Sequence, residues 1–540
     1  MNKKAAYLIL ISLCLVIYAN SLNGAFVSDD LPAILENPRI AQFSHAWTNP
    51  QLLLNSLSYL IAGFNPLIYH LISIFLHSIN TILVFLFLSI FFKSPASFLG
   101  ACLFALHPIN SEAVCWVSAR PYLITTLFIL ITYLLYYHAQ NLRPKNKQGL
   151  SLPYIFALII FLYYIIDNYP FFSFFPLFLI LIDLALGKGL KNWRYWLVFM
   201  VIVVFRIILA QHSLIQRISM MQSQVAFPSA NPLFYFAYSF YNHLGLLLWP
   251  AKLTLYHEPI VCSPLLLHYS LLYLLPVILA LLLAYKYAKE LFLGLAIFII
   301  FLAPTYAPTP ISFVVAERYA YFPSIALSIA VAFLYQRTAA KFPKLKPYLL
   351  AILILLIFAY GVRTIIRNQD WQTAERLWKK TAEASPRSVR AHNNLGLVYA
   401  QKNNSAKALE EYNLAIEIEP NFSAAYNNRG NLYAGLNNFE QALFDYNSAL
   451  EINSGDAEAY ANRGNIYAKM GYLQQAMSDY NKSIELKSDY GKAYNNRAIV
   501  YFIKKEYNKS WEDIKKAEAL QCVVYPPFLQ ALKNASGREK

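Results

Sequence analysis

"AYNNRGNLYAGLNNFEQALFDYNSALEI" occupies residues 425–452, and the chain on either side of it repeats the same design. Asn394, Asn428, Asn462 and Asn496 recur at a spacing of 34, and Gly396, Gly430 and Gly464 keep step, with Ala498 in the fourth copy. Tyr399, Tyr433, Tyr467 and Tyr501 follow, then Ala408, Ala442, Ala476 and Ser510, then Tyr412, Tyr446 and Tyr480. A fixed period of this length marks a stacked array, because one helix pair cannot bury its apolar face alone and its neighbours complete the core. The small residues let two helices approach closely, and the tyrosines fill the space between repeats.

This is the tetratricopeptide pattern. A half-repeat, "DWQTAERLWKKTAEASP", precedes it with Ala374, Trp378 and Pro386 in phase, and residues 521–540 read as a closing cap and tail. Residues 368–540 hold 22 Lys+Arg against 20 Asp+Glu, a nearly neutral balance.

Residues 1–367 are different in kind. They hold 23 Lys+Arg against 9 Asp+Glu, in a chain that is 58% apolar and only 14% charged overall. Average soluble proteins carry about a quarter charged residues. Apolar runs long enough to cross a bilayer begin near 5–20, 66–92, 96–113, 119–139, 152–167, 170–187, 193–210, 233–249, 265–285, 291–306, 317–336 and 347–366. The first follows Lys3 and Lys4 and lacks a clean small-x-small cleavage site, so a retained anchor is expected rather than a signal peptide. Basic loops at Lys3/Lys4, Lys93, Arg143/Lys145/Lys147, Lys188/Lys191, Lys286/Lys289 and Arg337/Lys341/Lys344/Lys346 should face the cytoplasm. All six fit one orientation if 233–249 does not cross, which predicts about 11 crossings, with the repeats opposite the N-terminus.

With that orientation, Asp29, Asp30, Glu36, Glu112, Asp167 and Glu317 gather at the outer face with Arg39, Arg120 and Arg318, while Asp183 and Glu290 lie at the inner one. Ionisable groups at a membrane are costly and often functional. The gathered charges suit a charged, lipid-borne substrate. No basic face appears on a soluble domain, so nucleic acid is excluded as a partner. Five scattered cysteines form no CxxC pair and read as packing residues. No metal site is expected.

Four polar stretches interrupt the apolar half: "FVSDDLPAILENPRI" (26–40), "GFNPLIYHLISIFLHSIN" (63–80), "ALHPINSEAVCWVSARPYL" (105–123) and "FVVAERYAYFPS" (313–324). His70 and His77 are seven apart and share a helical face, which suits hydrogen bonding between helices better than metal ligation. In this order, followed by such repeats, the stretches resemble the transmembrane and tetratricopeptide-repeat proteins, a family of protein O-mannosyltransferases and their prokaryotic relatives. The resemblance runs through "YANSLNGAFVSDDLPAILENP", "NPLIYHLISIFLHSINTILVF", "LFALHPINSEAVCWVSARPYL", "VAERYAYFPS" and the repeats. It implies an all-α architecture: a membrane domain of C-type glycosyltransferase fold over 1–367, then a repeat solenoid over 368–520. It also implies sugar transfer from a polyprenyl phosphate at the lumenal or periplasmic face. The lysine-rich start fits a bacterial inner membrane. One departure is plain: where relatives carry a Lys-Glu pair, this chain has Tyr169 and Pro170, with Asp167 and Asn168 nearby as substitutes.

A polyprenyl phosphate is already a competent leaving group, so the protein must deprotonate an acceptor hydroxyl and stabilise charge on the departing phosphate. Asp29 or Asp30 is assigned the general base, with Asp29 preferred by the resemblance. Arg120 and Arg318 are the phosphate candidates, with His107, Glu112 and Glu317 orienting them. The same Glu112–Arg120 and Glu317–Arg318 pairs also fit plain neutralisation between helices. No cofactor is expected beyond the lipid-linked sugar. Asn394, Asn428, Asn462 and Asn496 should form an amide ladder that grips an acceptor polypeptide, or else cap and pack the repeats. Arg429, Arg463 and Arg497 follow the last three asparagines, where the first repeat has Leu395. A non-enzymatic membrane scaffold is the rival class, disfavoured because an anchor needs one span. A transporter is disfavoured by the lack of repeated broken helices.

Overall fold

Asn-Pro pairs open the second and third α-helices of the apolar half. Asn49 and Asn65 each accept a backbone N–H two or three residues on, at Leu52 and Leu67, and the following Pro50 and Pro66 open their helices with a pre-set φ. The computed structural model describes residues 2–41, 43, 46, 49–141, 152–165, 173–222, 232–255, 257, 270–305 and 314–538, and among these only helices and turns occur. Asp167, Asn168, Tyr169 and Pro170 lie outside the described residues.

Two compact units follow one another, Met1–Ala384 and Ser385–Lys540. The first therefore takes in the half-repeat helix Ala374–Ala384, which the sequence assigns to the array beginning at 368. Among the described residues four helical stretches are long and apolar enough to cross a membrane: Lys3–Ser21, Pro66–Leu88, Val117–Gln140 and Pro343–Trp371. Ser94–Leu106 and Pro108–Cys115, bent by 48° at His107, make a fifth if they count as one span. Eleven crossings are not reached among the described residues. Several expected spans are shorter apolar helices such as the 11-residue Phe175–Ala185. At 1.5 Å per residue such a helix rises about 16 Å, half of a bilayer's hydrocarbon core.

Close approach holds the bundle together. A Cβ on Gly100 would come within 2.9 Å of the Ser328 carbonyl, so the helices Ser94–Leu106 and Ile325–Lys341 pack backbone to backbone. His77 donates from Nε2 to the Ala105 carbonyl at 3.1 Å, which leaves Nδ1 to accept from the Tyr321 hydroxyl at 2.7 Å. It is an interhelical hydrogen-bonder.

The second unit is four helix pairs, Val389–Gln401 with Ser405–Ile418, Ser423–Gly435 with Phe439–Ile452, Ala457–Lys469 with Leu473–Leu486, and Gly491–Ile503 with Tyr507–Ala519. The helix Pro526–Ser536 closes it, burying Leu532 near Trp511. Cβ atoms on Gly396, Gly430 and Gly464 would meet the rings of Tyr412, Tyr446 and Tyr480 at 2.6–2.9 Å, so only glycine fits against those tyrosines. The fourth pair solves the same contact differently. Ala498 replaces glycine where Ile514 replaces the tyrosine, and both are fully buried.

Candidate functional site

The four polar stretches are joined by hydrogen bonds within the first unit. Ser28 takes a left-handed conformation, φ +53°, and turns the chain into the acidic pair. Asp30 is fully buried. Its Oδ1 accepts from the Ser118 amide at 2.7 Å and the Ser118 hydroxyl at 2.6 Å, and its Oδ2 accepts from the Val27 amide at 3.2 Å. Burial raises its pKa to about 6, against the pull of the Ser118 and Val27 bonds. Asp29 is exposed, with only a 3.5 Å contact to the neighbouring Ser28 hydroxyl. The two adjacent carboxylates are thus placed for different tasks: Asp30 anchors the loop and Asp29 faces out.

Arg120, a phosphate candidate by sequence, is enclosed. Its Nε donates to Ser73 Oγ at 3.0 Å, Nη1 to Asn55 Oδ1 at 2.8 Å, and Nη2 to the Tyr69 carbonyl, and it is 0% exposed. A guanidinium committed to three neutral acceptors and shut from solvent ties the helices Pro50–Ala62 and Pro66–Leu88 together rather than meeting a ligand. Glu112 does not orient it. Its Oε1 pairs with the Arg318 guanidinium and its Oε2 accepts the Arg318 backbone N–H at 3.0 Å. Arg318 also lies over the Trp116 ring at 5.3 Å and the Tyr319 ring at 4.9 Å, and it alone of these buried cations keeps a solvent edge, 8% exposed.

Glu317 does not pair with its neighbour Arg318. The 3-10 turn Glu317–Ala320 sends the two side chains to different partners. Glu317 meets Arg367, Oε1 to Nη2 at 2.8 Å and Oε2 to Nε at 3.3 Å, and Arg367 reaches Asp370 Oδ2 at 3.1 Å. Trp116 and Trp371 stack at 5.8 Å between ring centres, so the two ion clusters share an aromatic wall. His107 sits at the bend of the broken helix. Its Nε2 donates to the Leu247 carbonyl at 2.8 Å and its Nδ1 accepts from the Ile109 amide at 3.1 Å. It pins the end of the helix Pro232–Leu248 and has no nitrogen left for a ligand. Arg367, Asp370, Asn55, Ser118 and Trp371 are partners that the sequence does not single out; the i,i+3 spacing of Arg367 and Asp370 is the available signal.

The first and last long apolar helices end together. Asn20 donates to the Ile365 carbonyl at 2.8 Å, Asn368 donates to the Ile17 carbonyl at 3.0 Å and to Asn20 Oδ1 at 3.1 Å, and Gln372 donates to the Asn20 carbonyl at 3.1 Å. The Ala25 amide donates to the Gln372 carbonyl at 2.9 Å. The loop bearing Asp29 and the segment leaving the last helix are therefore at one end of the bundle.

In the second unit the asparagines link repeats. Asn428 donates to Asn393 at 2.9 Å, Asn462 to Asn427 at 3.2 Å, and Asn496 to Asn465 at 2.8 Å, while Asn394 accepts weakly from Asn393. Asn462 and Asn496 also line a groove cavity of about 470 Å³ with Asn431, Asn465 and Lys469. Arg429, Arg463 and Arg497 grip Asp445, Asp479 and Asp513 through two nitrogens each, and give the third to Asn413, Asn447 and Asn481 of the preceding pair. These bonds raise the arginine pKa values further. Among the described residues no three His, Cys, Asp or Glu side chains converge as a metal set.

The chain is an all-helical membrane protein with a C-terminal array of tetratricopeptide repeats: residues 366–423, 423–456 and 457–490 each match family models described as tetratricopeptide repeat. Its homologues are the TMTC protein O-mannosyl-transferases. "Protein O-mannosyl-transferase TMTC3" of Homo sapiens is 24% identical over 471 residues, 74% of this chain and 50% of that protein. "Protein O-mannosyl-transferase TMTC4" of Homo sapiens is 25% identical over 492 residues, 75% of this chain and 65% of that one. The chain thus spans about half to two thirds of the length of these relatives. Among solved structures, "Crystal structure of MamA" is 24% identical, covering 30% of this chain and 93% of that one with a TM-score of 0.26.

Proposed function

We propose that the protein is an integral-membrane glycosyltransferase that moves a mannose-like sugar from a polyprenyl-phosphate donor to a hydroxyl of a polypeptide held by the repeats. Asp29 accepts the hydroxyl proton, the freed oxygen attacks the anomeric carbon, and the bond from that carbon to the phosphate oxygen breaks. The electron pair leaves on the polyprenyl phosphate, whose charge is met by Arg318 at its solvent edge. Glu112 holds Arg318, Asp30 holds the loop to Ser118, and Arg120 ties the helices Pro50–Ala62 and Pro66–Leu88 together. The acceptor polypeptide lies in the groove that Asn462 and Asn496 line, although each already gives an N–H to the preceding repeat. The outer face of a bacterial inner membrane, with an odd number of crossings near eleven, places donor, base and repeats in one compartment.

The observation that carries this reading is the division of the acidic pair, one carboxylate buried as an anchor and its neighbour left open at the bundle's end. The named activity of the homologues supports it. Its test is transfer in membranes supplied with polyprenyl-phosphate mannose. Asp29→Asn should lower kcat by about 10²–10⁴-fold, the usual worth of a general base. Transfer by Asp29→Asn within twofold of wild type would remove Asp29 from the chemistry.

A further inference from the structure

The contacts around residues 365–372 do more than end a helix. Asn368 and Gln372 hold the root of the Asp29 loop through the Ile17 and Asn20 carbonyls, the Asn20 side chain and the Ala25 amide. Asn368 Oδ1 also accepts from the Cys115 thiol at 3.3 Å. One residue earlier, Arg367 ties the same segment to Glu317, next to Arg318, and Asp370, three residues further on, takes another of its nitrogens. The segment therefore bonds to both halves of the site, the loop with the open carboxylate and the turn that carries the largely buried Arg318. Asn20 answers from the other side by donating to the Ile365 carbonyl. Four side-chain hydrogen bonds among Asn20, Asn368 and Gln372 are more than helix termination requires, since the last carbonyls of a helix are ordinarily satisfied by water or a cap.

We propose that residues 367–372 are a clasp that sets the Asp29 loop against Arg318, with Asn20, Asn368 and Gln372 as positioning residues. The chemical consequence rests on the glycosyltransferase reading; the mechanical one does not. A base displaced by about 1 Å loses rate without losing binding, so the clasp acts on kcat and leaves the acceptor KM alone.

The test uses the full-length protein in nanodiscs, with Asn20→Ala and Gln372→Ala made separately. Hydrogen exchange needs no substrate: each variant should exchange the amides of residues 22–31 at least tenfold faster, with exchange in the helix Pro66–Leu88 unchanged. In transfer assays kcat should fall about tenfold with KM within twofold, and Asn20→Ser, which keeps a short polar side chain, should recover part of it. Unchanged exchange at 22–31 overturns the clasp. Faster exchange with unchanged kcat overturns the positioning role. If Asn20→Ala does not fold, Gln372→Ala, which removes a single side-chain bond, decides. A wild-type protein that transfers no sugar defeats the glycosyltransferase reading, and the exchange result then judges the clasp on its own.

Discussion

Burial divides Asp29 from Asp30 more sharply than any difference in chemistry. Asp30 has a pKa near 6 in the fold against 3.8 unfolded. The folded state therefore binds the proton more tightly between those values, and stability from this group is fully present below about pH 4 and lost as pH rises through 6. At about 1.4 kcal/mol for each tenfold change in proton affinity, that difference is worth about 3 kcal/mol. Comparing thermal midpoints of wild type and Asp30→Asn from pH 4 to 8 should show the difference changing in wild type's favour toward acid and flat above pH 7. A constant difference would mean that Asp30 does not titrate there. The buried Glu317–Arg367 pair predicts a larger effect. Glu317→Ala leaves Arg367 with Asp370 alone, and breaking a buried pair from one side costs about 3–5 kcal/mol, so the midpoint of the first unit should fall by several degrees. Arg367 is illegible as a site residue because, at the end of an apolar run, it reads as a cation reaching for the interface, and its partner lies fifty positions away. Arg120 misleads for the opposite reason: a charge count registers the guanidinium but not Asn55, Ser73 and the Tyr69 carbonyl that occupy it.

At the scale of the helix pair, nearly everything is legible, because the contacts that build a repeat lie within about one period of each other. The turns show how far this goes. Asn403, Asn437, Gly471 and Lys505 stand at one position of the four copies, and all have positive φ, 58°, 59°, 83° and 64°. Asn and Gly tolerate this conformation; for lysine it is strained. Lys505→Gly should stabilise the last pair by about 0.5–1 kcal/mol, read as amide exchange in Gly491–Ala519 slowed by roughly two- to fivefold. The glycine–tyrosine contact gives a matched test. Gly430→Ala would put a Cβ 2.9 Å from the Tyr446 ring and should destabilise by about 1–3 kcal/mol. Adding Tyr446→Ile copies the Ala498–Ile514 solution of the fourth pair and should recover most of that loss, a coupling measurable by a double-mutant cycle. The membrane helices are less legible. Summed hydropathy finds apolar runs but not where they break, and a run such as 170–187 yields a helix of 11 residues.

For the whole molecule the decisive question is which faces share a compartment. The helix Lys3–Tyr18 and the helix Lys346–Asn368 both run toward the end where Asn20 meets Asn368. A chain entering and leaving a bundle by two helices that point the same way crosses an odd number of times in total. In the proposed topology, in which both helices cross, the N-terminus and residue 372 are expected on opposite faces, whatever the number between. Native cysteines make this testable with few changes, since Cys14, Cys102 and Cys115 are buried while Cys522 in the second unit is partly exposed. With Cys262→Ser to remove the remaining thiol, an impermeant maleimide added to sealed right-side-out vesicles should modify Cys522, and Asp29→Cys should add a second label from the same side. Cysteine introduced at Asn2 should react only in inverted vesicles. Labelling of Cys522 and Asn2→Cys from one side would require an even count of crossings, and would separate the repeats from the carboxylate they are proposed to serve.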